Sequence, residues 1–221
     1  MIKLVVFDWN GTLLADVGIV LKVCNATEIP ILGIQPISIE QLRNAYEVPH
    51  IKGYARLGVS PELFNAKAIE MSTAFQAMYE PLAAKAPTRR GVRHTLDALR
   101  RHGVKMIILS NHTVKGIRQQ LNRLQISSYF SDILANDDAH TAHHTGKQHR
   151  IEGYLHKHHI KPDEVVIVGD APEEIEIARD LGLCSISLSG GMCSRERLVA
   201  AKPDHLISSV KQIVSIVEGI T

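Results

Sequence analysis

The sequence predicts an α/β protein: a parallel sheet flanked by helices and interrupted near its start by a separate helical block. Three observations carry this. Four short runs, IKLVVF (2–7), VKMIIL (104–109), EVVIVG (164–169) and LCSISL (183–188), are apolar nearly throughout. Strands covered on both faces read this way, whereas half-exposed strands alternate. Helical patterns separate the later runs, which argues for parallel strands joined by crossovers. Finally, residues 15–86 carry helix-like patterning where a crossover of about a dozen residues would suffice.

Taken in order, the first run ends abruptly at Asp8, followed by Trp9-Asn10-Gly11-Thr12. The block 15–86 contains several breakers (Pro30, Gly33, Pro36, Pro49, Pro61), and its clearest helices are 37–46 and 60–79. Between these, VPHIKGYARLG (48–58) reads as a loop carrying His50, Lys52, Tyr54 and Arg56. Residues 91–103 place Val92, Leu96 and Leu99 on one helical face and end at Gly103, a suitable C-terminal cap. Residues 114–126 do the same with Ile117, Leu121 and Leu124. Residues 172–182 begin with proline, are acidic in the first turn and close with glycine, as the helix dipole and the capping asymmetry favour. The domain division expected from this is a core of residues 1–14 and 87–221 and a helical insert of residues 15–86.

Composition narrows the function classes. A chain of 221 residues with a formal net charge of +2 gives no reason to expect nucleic acid or an anionic membrane as partner. No apolar stretch is long enough to span a bilayer, and MIKLVVFD lacks the layout of a signal peptide. Cys24, Cys184 and Cys193 are scattered and odd in number, which fits a reduced cytoplasmic setting. A monomer or homodimer is expected. His140, His143, His144, His149, His156, His158 and His159 match no closed zinc spacing and read as a solvated loop and helix face.

Ligands of open α/β sheets sit beyond the carboxyl ends of the strands. Three polar clusters fall there: Asp8 to Thr12, then Ser110-Asn111, then Gly169-Asp170 with Glu174 one helical turn on. Lys147 begins a helix leading into the third of these strands. Each cluster alone is a weak signal; together and in this order they are specific. The whole chain resembles the haloacid dehalogenase superfamily, whose first motif D-x-D-G-T-L stands here as Asp8-Trp9-Asn10-Gly11-Thr12-Leu13. Ser110 in IILSNH, Lys147 in HTGKQHRI and Gly169-Asp170 with Glu174 match the remaining motifs, although Lys147 lacks the proline that often follows this lysine. The stretch 91–110, the tail 189–210 and the position of the helical insert resemble the phosphoglycolate phosphatase branch. The resemblance implies a Rossmann-like parallel sheet core with an inserted α-helical cap, and a hydrolase of a small phosphorylated metabolite.

It also implies roles. Asp8 would be the nucleophile that forms an aspartyl-phosphate, splitting one difficult step into two. Mg2+ would be held by Asp8, the backbone carbonyl of Asn10, Asp170 and, through water, Glu174. Lys147 and Ser110 would contact the phosphoryl oxygens, with the amides of Gly11 and Asn111 lining the same pocket; Gly11 permits close approach of backbone to phosphate. Lys52 and Arg56 of the insert would reach the substrate. The family usually has aspartate where Asn10 stands, to protonate the leaving oxygen, and such help is worth about 10²–10⁴ in rate. The expected enzyme is therefore slow, or suited to good leaving groups, and Asn10→Asp is expected to speed poor ones. The alternatives are phosphonoacetaldehyde-hydrolase-like C–P cleavage through a Schiff base on Lys52, or a non-catalytic phosphate- or partner-binding protein.

Overall fold

The computed structural model describes residues 1–137 and 146–220. His140, His143 and His144 lie outside them. Six parallel strands form one sheet in the order β3-β2-β1-β4-β5-β6: β1 Leu4–Phe7, β2 Lys105–Thr113, β3 Asp132–Asn136, β4 Val165–Gly169, β5 Cys184–Leu188 and β6 His205–Ile207. The central β1 pairs with β2 and β4 in a common register, Phe7 opposite both Ile108 and Val168. β1 and β4 therefore end within one residue of each other while β2 runs on to Thr113, and the residue after Phe7 emerges between β2 and β4.

Side chains alternate across the sheet, and both faces are buried. Val5, Phe7, Met106, Ile108, Val166 and Val168 face one cluster, which α6 (Val92–Arg101), α7 (Val114–Leu124) and α11 (Gln212–Gly219) cover with Leu96, Ile117 and Ile213. Leu4, Val6, Ile107, Leu109, Val165 and Ile167 face the other, covered by α8 (Lys147–His158) and α9 (Pro172–Leu181) through Ile151, Leu155 and Ile177. This double coverage is why the strand sequences show no alternation.

Five helices fill the insertion between β1 and α6: α1 Val17–Ala26, α2 Glu28–Ile31, α3 Ile39–Ala45, α4 His50–Arg56 and α5 Pro61–Ala83. A capping box between Ser38 and Gln41 starts α3, and Ser60 with Pro61 starts α5. The stretch 48–58, expected as a loop, is largely helix α4. Pro49 precedes its first turn, where a missing N–H costs nothing. Gly53 sits inside α4 because a Cβ there would meet Ala45 O at 2.7 Å, so its role is close packing on α3 rather than helix breaking. The two chain crossings between sheet and insert run side by side: Ala15 N–H bonds Pro87 O and Arg89 N–H bonds Leu13 O, both at 2.9 Å.

Two further features depart from expectation. Strands β3 and β6 are additional to the four apolar runs, and β2 extends past Leu109 to Thr113 with a register shift against β3. Ser110 and Asn111 are thus carried at an irregularity within the end of β2, not beyond it. The short α10 (Arg195–Ala201) follows β5.

Candidate active site

Asp8 continues β1 by one residue, and its N–H bonds Val168 O of β4 at 2.8 Å. Its side chain is buried. Lys147, the first residue of α8, directs Nζ to Asp8 Oδ1 at 2.6 Å, Glu174 Oε1 at 2.5 Å and Glu173 Oε2 at 3.5 Å. Asp8 Oδ2 accepts no hydrogen bond from the described residues. Glu174 Oε2 is buried without a hydrogen-bond partner among the described residues. Asp170, at the end of β4, accepts from Met192 N–H at 2.5 Å and Thr12 Oγ1 at 3.1 Å. Two glycines make room for it: a Cβ on Gly11 (φ +75°) would lie 2.1 Å from Asp170 Oδ2, and one on Gly191 1.9 Å.

The cluster is short of positive charge. Three carboxylates, Asp8, Glu173 and Glu174, lie within 3.5 Å of one ammonium group, and a fourth, Asp170, lines the same cavity; the Arg89 and Arg150 guanidiniums act on Asp170 and Glu173 from outside it. Burial, then the charge of Asp8, raises the pKa of Asp170. Burial raises Glu174 despite the adjacent Lys147. For Lys147, burial alone would lower the pKa, but Asp8 and Glu174 outweigh it and keep the ammonium protonated.

As placed, no three His, Cys, Asp or Glu side chains among the described residues gather tightly enough to hold a metal. Lys147 Nζ occupies the centre between Asp8 and Glu174, and Asp170 is turned toward Thr12 and Met192. The donor chemistry still fits a hard divalent cation: the donors are all oxygen, negative charge is in excess, and Glu174 has an unpartnered oxygen.

A cavity of about 30 Å³ lies over Asp8, lined by Asn10, Tyr46, Ser110, Asn111, Lys147, Asp170, Ala171, Glu173 and Glu174. It has room for about two waters. Ser110 Oγ accepts from His112 N–H at 3.1 Å, so its hydroxyl proton is free to donate. Asn111 Nδ2 donates to Glu173 Oε2 at 3.0 Å. Gly11 does not offer its amide to this cavity: the N–H bonds Asp16 Oδ1 at 2.8 Å. Lys52 and Arg56 lie on α4 outside the cavity, at 4.0 and 2.6 Å from Glu47. His149, His156, His158 and His159 lie on or just after α8, where His158 packs on the Tyr154 ring at 4.2 Å.

The roof comes from the insert, through residues not singled out in the sequence. Tyr46, just after α3, lines the cavity, and burial followed by the Asp170 charge pushes its phenol well above the ordinary range. Arg43 of α3 donates to Gly191 O at 3.0 Å and Gly190 O at 3.1 Å, the loop that also cradles Asp170. Arg197 donates to Tyr46 O and, at 3.0 Å, to Glu47 Oε2. Nothing local in the sequence marks Tyr46. Glu173 was legible in principle, as the acid adjoining Glu174 in the same first turn.

Residues 5–187 match the model of the family described as haloacid dehalogenase-like hydrolase. A phosphoglycolate phosphatase of Vibrio parahaemolyticus is 29% identical over 98% of this chain and 96% of its own. A phosphoglycolate phosphatase of Synechococcus elongatus is 26% identical over 96% of each chain. Among solved structures, a haloacid dehalogenase-like family hydrolase from Streptococcus pneumoniae shares the fold with a TM-score of 0.80 at 18% identity, covering 97% of this chain and 98% of that one. With the helical insert between β1 and β2 and the strand-end motifs in place, the chain belongs to the haloacid dehalogenase-like hydrolases.

Proposed function

We propose that this protein is a magnesium-dependent phosphatase that hydrolyses a small phosphorylated metabolite, of the phosphoglycolate kind, through an aspartyl-phosphate on Asp8. One observation carries the reading: Asp8 has one oxygen anchored by Lys147 at 2.6 Å, and the other accepts no hydrogen bond from the described residues. That is the state required of an in-line nucleophile. Residues 1–14 and 87–221 act as the catalytic core and 15–86 as its cap.

Asp8 Oδ2 attacks phosphorus, the ester P–O bond breaks, and the leaving oxygen takes a proton from solvent water. Water then attacks the phosphoryl group, releasing inorganic phosphate and the free carboxylate of Asp8. Lys147 and the Ser110 hydroxyl hold the phosphoryl oxygens as charge spreads over them. Asp8, the Asn10 carbonyl, Asp170 and Glu174 would hold Mg2+, which supplies further charge neutralisation. Asn10 carries no proton to the leaving oxygen, so an alkyl ester such as phosphoglycolate turns over slowly and phosphates with stable leaving groups react faster. Tyr46 roofs the site closely, which supports a substrate small beyond its phosphoryl group. The C–P cleaving alternative needs Lys52 at the carbonyl of the substrate, and its exposed position beside Glu47 gives that reading no support.

Phosphate release from phosphoglycolate, an alkyl phosphate, an acyl phosphate and phosphonoacetaldehyde, each with and without Mg2+, tests the proposal. Mg2+-dependent release from phosphoglycolate or the acyl phosphate is expected. Release from phosphonoacetaldehyde alone, or from none, would overturn it.

A further inference from the structure

Asn10 does more than stand where an acid is usual. Its Nδ2 donates to Asp16 Oδ2 at 2.8 Å and to Tyr79 Oη at 2.6 Å, and Tyr79 Oη in turn donates to the same Asp16 oxygen at 2.6 Å. The other Asp16 oxygen accepts from Gly11 N–H at 2.8 Å. Asp16 is fully buried, and Tyr79, on α5, is 4% exposed.

Aspartate immediately before a helix usually caps it. Asp16 precedes α1, yet its side chain makes no cap bond to that helix. It turns instead to the nucleophile loop. An ionised carboxylate only accepts hydrogen bonds, so every group facing it must donate. Asn10, Gly11 and Tyr79 all do.

We infer that Asn10 is a positioning residue: its amide closes a buried three-way latch with Asp16 and Tyr79 that fixes the nucleophile loop against the insert, and the latch needs a donor at residue 10 because the carboxylate stands at residue 16. The amide and the acid form a complementary pair. An aspartate at residue 10 alone would set two carboxyl groups 2.8 Å apart, where burial already raises the pKa of Asp16, so the pair must either take up a proton or part, and Tyr79 loses the donor it has in Asn10. The gain expected from the sequence for Asn10→Asp is thereby reversed. Exchanging the two side chains should keep the latch. The carboxylate, now at residue 10, would accept from Tyr79 and from the amide at residue 16. The carbonyl of that amide would still accept from Gly11 N–H.

The test is a cycle of four proteins: unaltered, Asn10→Asp, Asp16→Asn and the exchange N10D/D16N. Thermal melting needs no activity, so it reads the latch even where the proposed function fails. Each single change should lower Tm by about 4–10 °C, and the exchange should recover at least half of the summed loss. Additive losses would overturn the pairing. The positioning role rests on the phosphatase reading and is measured by kcat on phosphoglycolate with Mg2+. Asn10→Asp should lose about tenfold to a hundredfold, and the exchange should regain most of it. Recovery of Tm without recovery of kcat would reduce the latch to a structural contact and overturn that role. Tyr79→Phe removes a single oxygen and is the milder probe. It should lower both Tm and kcat, and unchanged values for both would overturn the proposal. Absence of phosphate release from the unaltered protein would count against the proposed function alone.

Discussion

On the core side of the cavity, Asp8, Lys147 and Glu174 meet in contacts of 2.5–2.6 Å, each held by the end of a strand or the first turn of a helix. On the insert side, Tyr46 is held through Arg43 and Arg197, which donate to backbone carbonyls, and through the pairs of Glu47, half-buried with Arg197 and solvent-facing with Arg56. The two sides differ in what it costs to disturb them. Breaking a buried ion pair by removing one partner costs about 3–5 kcal/mol. A surface pair is worth about 0–1 kcal/mol and a neutral hydrogen bond about 0.5–1.5 kcal/mol. The core side is thus a rigidly held floor, and the insert side a roof that can be disturbed at low cost.

Substitutions on the two sides should separate accordingly. The largest effect belongs to Asp8→Asn, which removes the proposed nucleophile from the floor. Turnover of phosphoglycolate should fall by about 10³-fold or more with the circular dichroism spectrum unchanged. Substantial residual turnover would contradict the covalent route. Lys147→Met comes next. It leaves Asp8 and Glu174 buried and unpaired, so melting should drop by about 6–20 °C and turnover by about 10²-fold. A stable, active variant would show that the ion pairs do not organise the floor. Tyr46→Phe touches only the roof. It should raise KM by about threefold to tenfold and leave kcat and Tm nearly unchanged, and an equal loss in kcat would move Tyr46 to the floor.

The same contrast governs what could be read from the sequence. Asp8, Ser110, Asp170 and Glu174 lie at or next to strand ends, so apolar runs that announce the strands also announce the site. Lys147 was legible because it begins the helix that feeds β4. Tyr46, Asp16 and Tyr79 owe their roles to contacts with partners far along the chain, such as Asn10 with Tyr79 and Arg197 with Tyr46, and no local pattern encodes these. Within the sheet, β3 and β6 escaped notice for a physical reason. They are short edge strands, only partly buried, with polar ends at Asp132, Asn136 and His205, so neither forms a continuous apolar run. Helix α4 was hidden by Pro49 and Gly53, which act there as a helix start and a packing contact.

A smaller effect tests the seam between floor and roof. His112 packs edge-on against Tyr79 at 5.9 Å, with Glu80 Oε1 3.7 Å from its ring nitrogen. Burial outweighs that neighbour and lowers its pKa from 6.5 to about 4, so it stays neutral. The unfolded chain therefore takes up this proton first as acid is added. Stability should decline as pH falls from about 6.5 to 4 and gain no further slope from this group below that, by up to about 3 kcal/mol in total. His112→Gln should flatten this branch of the Tm–pH curve; an unchanged branch would contradict a buried neutral imidazole.

The central claim, that the free oxygen of Asp8 attacks phosphorus, is tested most directly by acid-quenching the protein during turnover of phosphoglycolate with Mg2+ and mapping its peptides by mass spectrometry. The account predicts one added phosphoryl group on the peptide containing Asp8, labile to hydroxylamine and absent in Asp8→Asn. Steady turnover with that peptide unmodified at every quench time, or with the phosphoryl group on another residue, would contradict it.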